Sequence, residues 1–117
     1  MRTMRRSTAT ARTPQELIQE MVRRIVQRFS PDRIILFGSR ARDAAGPDSD
    51  VDLLVVMECA GSPRQQTVEI RKTLAGLRAP KDVVVVTPEF FERYRDVVGT
   101  VVWPAVREGK LLYERAA

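Results

Sequence analysis

A mixed α/β domain of the α+β kind, with one sheet flanked by helices, is what this 117-residue chain predicts. Three observations carry that prediction. Short continuous apolar runs of strand length recur at Arg33 to Phe37, within Asp50 to Met57, and at Asp82 to Val86. Proline-bearing helix starts recur at Thr13-Pro14, Ser62-Pro63 and Thr87-Pro88. The connections differ in kind: a short one after Phe37 makes the first two strands antiparallel, whereas a whole helix before Asp82 makes the second and third parallel.

Taken in order, Thr13-Pro14-Gln15-Glu16 is a capping box with proline at the first helical position. Leu17, Ile18, Met21, Val22, Ile25, Val26 and Phe29 then form one apolar stripe of helical period, which stops at Ser30-Pro31. The strand Arg33 to Phe37 ends at Gly38, and Ser39 is expected to open a short helix through Ala44. Gly46-Pro47-Asp48-Ser49 reads as a turn leading into a strand from Asp50 to Met57. Ser62-Pro63-Arg64-Gln65 caps a crossover helix from Pro63 to about Leu77. After the strand at Asp82 to Val86, Thr87-Pro88 opens further helices, Gly109 ends the last of them, and Lys110 to Glu114 closes the sheet as a terminal strand. Phe90, Phe91, Tyr94, Val97, Val98, Val101, Val102 and Trp103 are dense for so small a domain. They either cover the sheet or leave part of themselves as a surface for a partner or for homo-oligomer formation. Tyr94 and Tyr113 are candidate acceptors for self-modification, against the commoner case of half-buried packing.

Composition narrows the chemistry. The length suits one domain, with no room for a separate substrate domain. The absence of histidine removes Ser-His-Asp and Cys-His catalysis and the common histidine-containing zinc sites. The sole cysteine, Cys59, has no partner for an internal disulfide and is expected to pack as a small apolar group. No stretch is long and apolar enough to span a bilayer, so a soluble, cytoplasmic protein is expected. The net charge of +5 lies mostly in Arg2, Arg5, Arg6 and Arg12, with no acid before residue 14. Residues 1–13 are therefore read as a flexible basic arm and 14–117 as the domain, which is close to neutral and is not expected to bind nucleic acid directly.

The chemistry is concentrated between Phe37 and Val56. Ten residues separate Gly38-Ser39 from Asp50-x-Asp52. A glycine turn admits close backbone approach, and free N–H groups beyond it attract anions. Arg40 and Arg42 add positive charge; for both, a solvated face competes with phosphate contact, and Arg42 is the better placed as a bidentate donor. Asp50 and Asp52 share one strand face, with Cα atoms roughly 6.6 Å apart at about 3.3 Å rise per residue. Two carboxylates so close disfavour each other's ionisation unless a cation intervenes, and Mg²⁺ is the natural one because hard cations share carboxylates with phosphate oxygens. Asp82 begins the neighbouring parallel strand, which brings a third carboxylate to the same rim. Lys81, just before it, falls on the opposite face by alternation. Either Gly-Ser or Asp-x-Asp alone is usually a turn or a solvated strand end; their joint spacing and strand context set this chain apart.

These residues resemble the minimal nucleotidyltransferases (MNT) of the DNA polymerase β superfamily, particularly the antitoxin of HEPN/MNT toxin–antitoxin pairs. The likeness rests on Gly38-Ser39, the spacing to Asp50-Val51-Asp52, and the later strand carboxylate Asp82, and runs from about Phe29 to Glu114 through the TPEFFER and REGKLLYER segments. It implies a polymerase β-like palm fold and a Mg²⁺-dependent transfer of AMP, or another NMP, from ATP or another NTP to an acceptor hydroxyl. It further implies two Mg²⁺ held by Asp50, Asp52 and Asp82 as catalytic and metal residues, with the nucleotide at Gly38, Ser39, Arg42 and Ser49. The acceptor it implies is a tyrosine of a partner HEPN toxin. The alternatives are a binding antitoxin with a retained but non-catalytic nucleotide site, and an enzyme acting on a small molecule or an RNA end. Asp43 departs from the pattern, standing where relatives often have glycine, and its charge either opposes nucleotide binding or faces solvent.

Overall fold

A computed structural model describes residues 13–42, 45–46 and 49–116. The basic arm up to residue 12, Asp43, and the Pro47-Asp48 centre of the turn lie outside the described residues. The element order is α1 (Pro14–Phe29), β1 (Arg33–Phe37), β2 (Val51–Val56), α2 (Pro63–Thr73), β3 (Lys81–Val86), α3 (Pro88–Tyr94), α4 (Val102–Glu108) and β4 (Lys110–Glu114).

Local signals place most of these boundaries. At α1 the Thr13 hydroxyl accepts from the Glu16 N–H while the Glu16 carboxylate accepts from the Thr13 N–H, so two otherwise unpaired amides are satisfied reciprocally. Ser62 and Gln65 repeat the arrangement at α2. The α1 helix stops at Ser30, held at φ 48°, immediately before the buried Pro31.

Two expected helices are corrected. The α2 helix ends at Thr73 instead of near Leu77. Leu74 leaves the helical region at φ −91°, ψ 2°, and Gly76 follows at φ +91°, a conformation that unwinds the last turn. The segment after Gly38 is a pair of tight turns through Arg42, closed by Ala41 N–H to Gly38 O at 3.1 Å and Arg42 N–H to Ser39 O at 3.2 Å. Arg42 N–H also approaches Gly38 O at 3.3 Å, a single i→i−4 contact that does not continue into a helix among the described residues.

The four strands lie in the order β3-β2-β1-β4. β1 runs antiparallel to β2 and β4, and β2 runs parallel to β3, so the sheet is mixed in the manner the connections require. α1 and α2 cover one face, where Met21, Ile25, Ile70 and Leu74 pack on Ile34, Leu53, Val55 and Val85. α3 and α4 cover the other, where Phe91, Val102 and Ala105 meet Ile35, Leu54, Val56 and Val86. β2 is buried on both sides except at Asp52, which is what a central strand flanked by two helical layers demands. Gly109 is required by crowding: a Cβ there would strike Ala105 O, Ile35 Cγ2 and Leu36 O, where α4 hands over to β4. Cys59 packs against the first of these cores as a partly buried apolar group, as its lone occurrence predicts.

Among the described residues, no helix is long and apolar enough to cross a membrane. The dense segment from Phe90 to Trp103 divides as its two expectations allow. Phe91 and Val102 are buried, whereas Phe90, Val97 and Val98 remain exposed, Val98 at 74%. Tyr94 and Tyr113 are partly buried against the two cores.

Candidate active site

One row of the sheet assembles the candidate residues. Phe37 of β1 pairs with Asp52 of β2, and Asp52 pairs in turn with Asp82 of β3. Strand parity then sets the face. Asp52 shares its side with Leu54 and Val56, and Asp82 with Val84 and Val86, so both carboxylates stand on the α3/α4 side beyond the edge of that helical cover. Asp50 precedes the row and is exposed.

Gly38 follows Phe37 directly, at φ 76°. A Cβ on Gly38 would collide with Oδ2 of Asp52, so glycine is demanded here both by backbone conformation and by the approach of the carboxylate. The turn and the acid are thus built as one unit.

Asp52 is partly buried and, among the described residues, accepts no hydrogen bond and meets no cation. Desolvation raises its pKa above the ordinary carboxylate value, and the charges of Asp82 and then Asp50 push it further the same way. Asp52 itself therefore meets no positive charge among the described residues.

The other candidates are engaged with protein groups. Arg40 donates through Nε at 3.2 Å and Nη2 at 2.9 Å to the carbonyl of Ser49, bracing the Gly38 turn against the approach to Asp50. The Ser49 hydroxyl accepts from Gly46 N–H at 2.9 Å within its own turn. Arg42 Nη1 lies 3.6 Å from Glu108 Oε1, with both side chains about half exposed. Asp82 Oδ1 accepts from Arg71 Nη2 of α2 at 2.8 Å. Lys81 turns away from the row, as alternation predicts, and donates to the carbonyls of Leu77 and Ala79. Sequence reasoning missed the roles of Arg40 as a brace and of Arg71 as the partner of Asp82, since neither pairing falls on a helical or strand spacing that a local pattern would announce.

The donor set suits a hard divalent cation, because the side chains that meet here are carboxylates and Asp52 is short of a counter-charge. As the side chains stand, no three carboxylate or thiolate groups among the described residues are close enough together to hold an ion. Asp82 pairs with Arg71, which leaves Asp50 and Asp52 without a cation among the described residues. A cavity of about 520 Å³, lined by Gln15, Ile18, Leu36, Arg40 and Leu112 among others, lies on the α1 side of the sheet and is not lined by the acids of the row.

The arrangement has counterparts. Residues 18–115 match the family model described as a nucleotidyltransferase domain. No curated protein matches the chain. Among solved structures, it is similar to a Sulfolobus solfataricus protein provisionally described as a nucleotidyltransferase, with 22% identity, a TM-score of 0.61, and coverage of 85% of this chain and 78% of that one. It is similar as well to a chain of a toxin–antitoxin complex with AMP-PNP, at 20% identity and TM-score 0.58 over 88% of this chain and 75% of the other. A third is a chain of the MntA–HpeT toxin–antitoxin carrying two aspartate-to-glutamate changes, at 18% identity and TM-score 0.59 over 83% and 73%. At these identities the structures speak for the fold, while the family model spans most of the sequence. The chain belongs to the nucleotidyltransferase domain family.

Proposed function

We propose that this protein transfers a nucleoside monophosphate, AMP by preference, from the triphosphate to an acceptor hydroxyl, and that the acceptor is a tyrosine of a partner toxin of the HEPN class. The observation that carries the reading is the fusion of the Gly38 turn with Asp52, in register with Asp82. A turn for phosphate and acids for its counter-ions have little other reason to be built against each other.

In this reading the acceptor oxygen forms a bond to the α-phosphorus as the bond from that phosphorus to the bridging oxygen breaks, and pyrophosphate leaves. The Gly38–Ser39 backbone amides and the Ser39 hydroxyl hold phosphate oxygens, with the Ser49 turn bordering the nucleotide. Arg42 adds a guanidinium once it exchanges its exposed pairing with Glu108, a pairing worth little in water. Asp50 and Asp52, joined by Asp82, would hold the two Mg²⁺, whose chemistry is to neutralise charge on the phosphates and to favour both the attacking and the leaving oxygen. Asp82 takes the proton of the acceptor hydroxyl, the chain having no histidine for that task.

Similarity supports a toxin as partner: two of the similar chains come from toxin–antitoxin structures, one of them with AMP-PNP and another altered at two aspartates two positions apart. The test is transfer of label from α-labelled ATP and Mg²⁺ to a co-expressed HEPN protein, with RNA and small hydroxyl compounds as competing acceptors. Label on a partner tyrosine, reduced roughly 100-fold or more by Asp52→Asn, is the expected result. Label on RNA, or neutralisation of the toxin undiminished in Asp52→Asn, would replace this reading with an RNA-modifying or a covering role.

A further inference from the structure

Among the described residues, Asp82 is the acid of the row that pairs with a protein cation. Its carboxylate accepts from Arg71 at 2.8 Å, and the pair is about half exposed on both sides. Arg71 reaches it from α2, a helix whose buried residue Ile70 packs on the opposite face of the sheet. Asp52, paired with Asp82 in the sheet register, meets no cation among the described residues.

We propose that Arg71 is a positioning residue that occupies the Asp82 carboxylate, so that a divalent cation must displace Arg71 to gain its third carboxylate. The inference rests on the proposed metal-dependent reading and adds a competition to it. An Arg–carboxylate pair with this exposure is weak enough to be exchanged and strong enough to bias the rotamer. It also explains why three acids brought to one rim do not form a ready cluster among the described residues. Its consequence is that the site closes on a cation only when that cation outbids the guanidinium, which keeps the acids from binding metal tightly before the nucleotide's phosphates add their own ligands.

The test is Mn²⁺ binding by calorimetry on the full chain without nucleotide, compared across variants. Arg71→Ala should tighten Mn²⁺ binding by about threefold, the scale of an exposed ion pair. Arg71→Lys should lie nearer the wild type, because a point charge retains part of the competition. Lys72→Ala, which removes a neighbouring cation paired with Glu69 and not with Asp82, should change little. In an Asp82→Asn background the gain from Arg71→Ala should vanish. Tightening that persists with Asp82→Asn, or that Lys72→Ala reproduces, would show a general charge effect and overturn the latch. Unchanged or weaker binding in Arg71→Ala would overturn it too, while leaving the metal-dependent reading intact as long as Asp52→Asn abolishes binding. A wild-type protein that takes up no Mn²⁺ would overturn both.

Discussion

Gly38 answers two demands at once, a left-handed φ of 76° and clearance for Asp52. Gly38→Ala is expected to cost about 1–2 kcal/mol from the backbone alone, read as a lower denaturant midpoint at unchanged slope. The cost should fall in a Gly38→Ala, Asp52→Ala double variant, because the carboxylate that a Cβ meets is then gone. Asp52 itself predicts a pH signature. Its pKa is raised in the folded state, so the folded metal-free protein binds the proton more tightly than the unfolded chain does. The stability tied to that group is complete below the ordinary carboxylate value and is lost as pH rises through the folded pKa. Asp52→Asn should accordingly melt higher than wild type at pH 7 without metal, by on the order of a few degrees, with the gap closing in acid. Thermal scans across pH check it, and a gap that widens in acid would contradict the assigned cause.

The elements were legible to different degrees, and the reason is physical. α1 could be bounded from its capping box and stripe, and β1 from the four apolar residues Ile34 to Phe37 stopped by glycine, because those signals lie within or beside the element. The far end of α2 and the turn after Gly38 could not, since the backbone angles of Leu74 and the alternation of tight turns are settled by packing and not by residue type. The tie between α1 and α2 was likewise invisible. Glu20 accepts from Arg23 and Arg24, and Arg24 donates on to the carbonyls of Thr73 and Ala75 at the end of α2. Hydrogen bonds from Arg23 and then Arg24 lower the Glu20 pKa from 4.5 to about 2. A depressed carboxylate contributes stability that is complete above the unfolded value and is lost as pH falls through the folded one. Glu20→Gln should therefore cost about 1 kcal/mol at pH 7 and progressively less below pH 4.5. Chemical denaturation at a series of pH values measures that difference directly.

At the scale of the whole molecule, the sheet is an instrument for alignment. Two helical layers bury β2 on both faces and leave its first carboxylates at the rim, where β1 delivers the turn and β3 the third acid. That row was legible because strand parity and the handedness of the crossover fix it from the sequence alone. The cations around it were not: Arg40 on Ser49, Arg42 on Glu108 and Arg71 on Asp82 are pairings that no residue spacing announces and that exist only once the chain has folded.

The most direct test of this architecture is the melting temperature with and without Mg²⁺ and ATP, for wild type and for Asp50→Ala with Asp52→Ala. Ligand at about 100 times its Kd should raise the wild-type midpoint by roughly 10 °C. The double variant should fold and show no rise. An equal rise in both proteins would place nucleotide binding somewhere other than the turn and acids described, and would contradict the account.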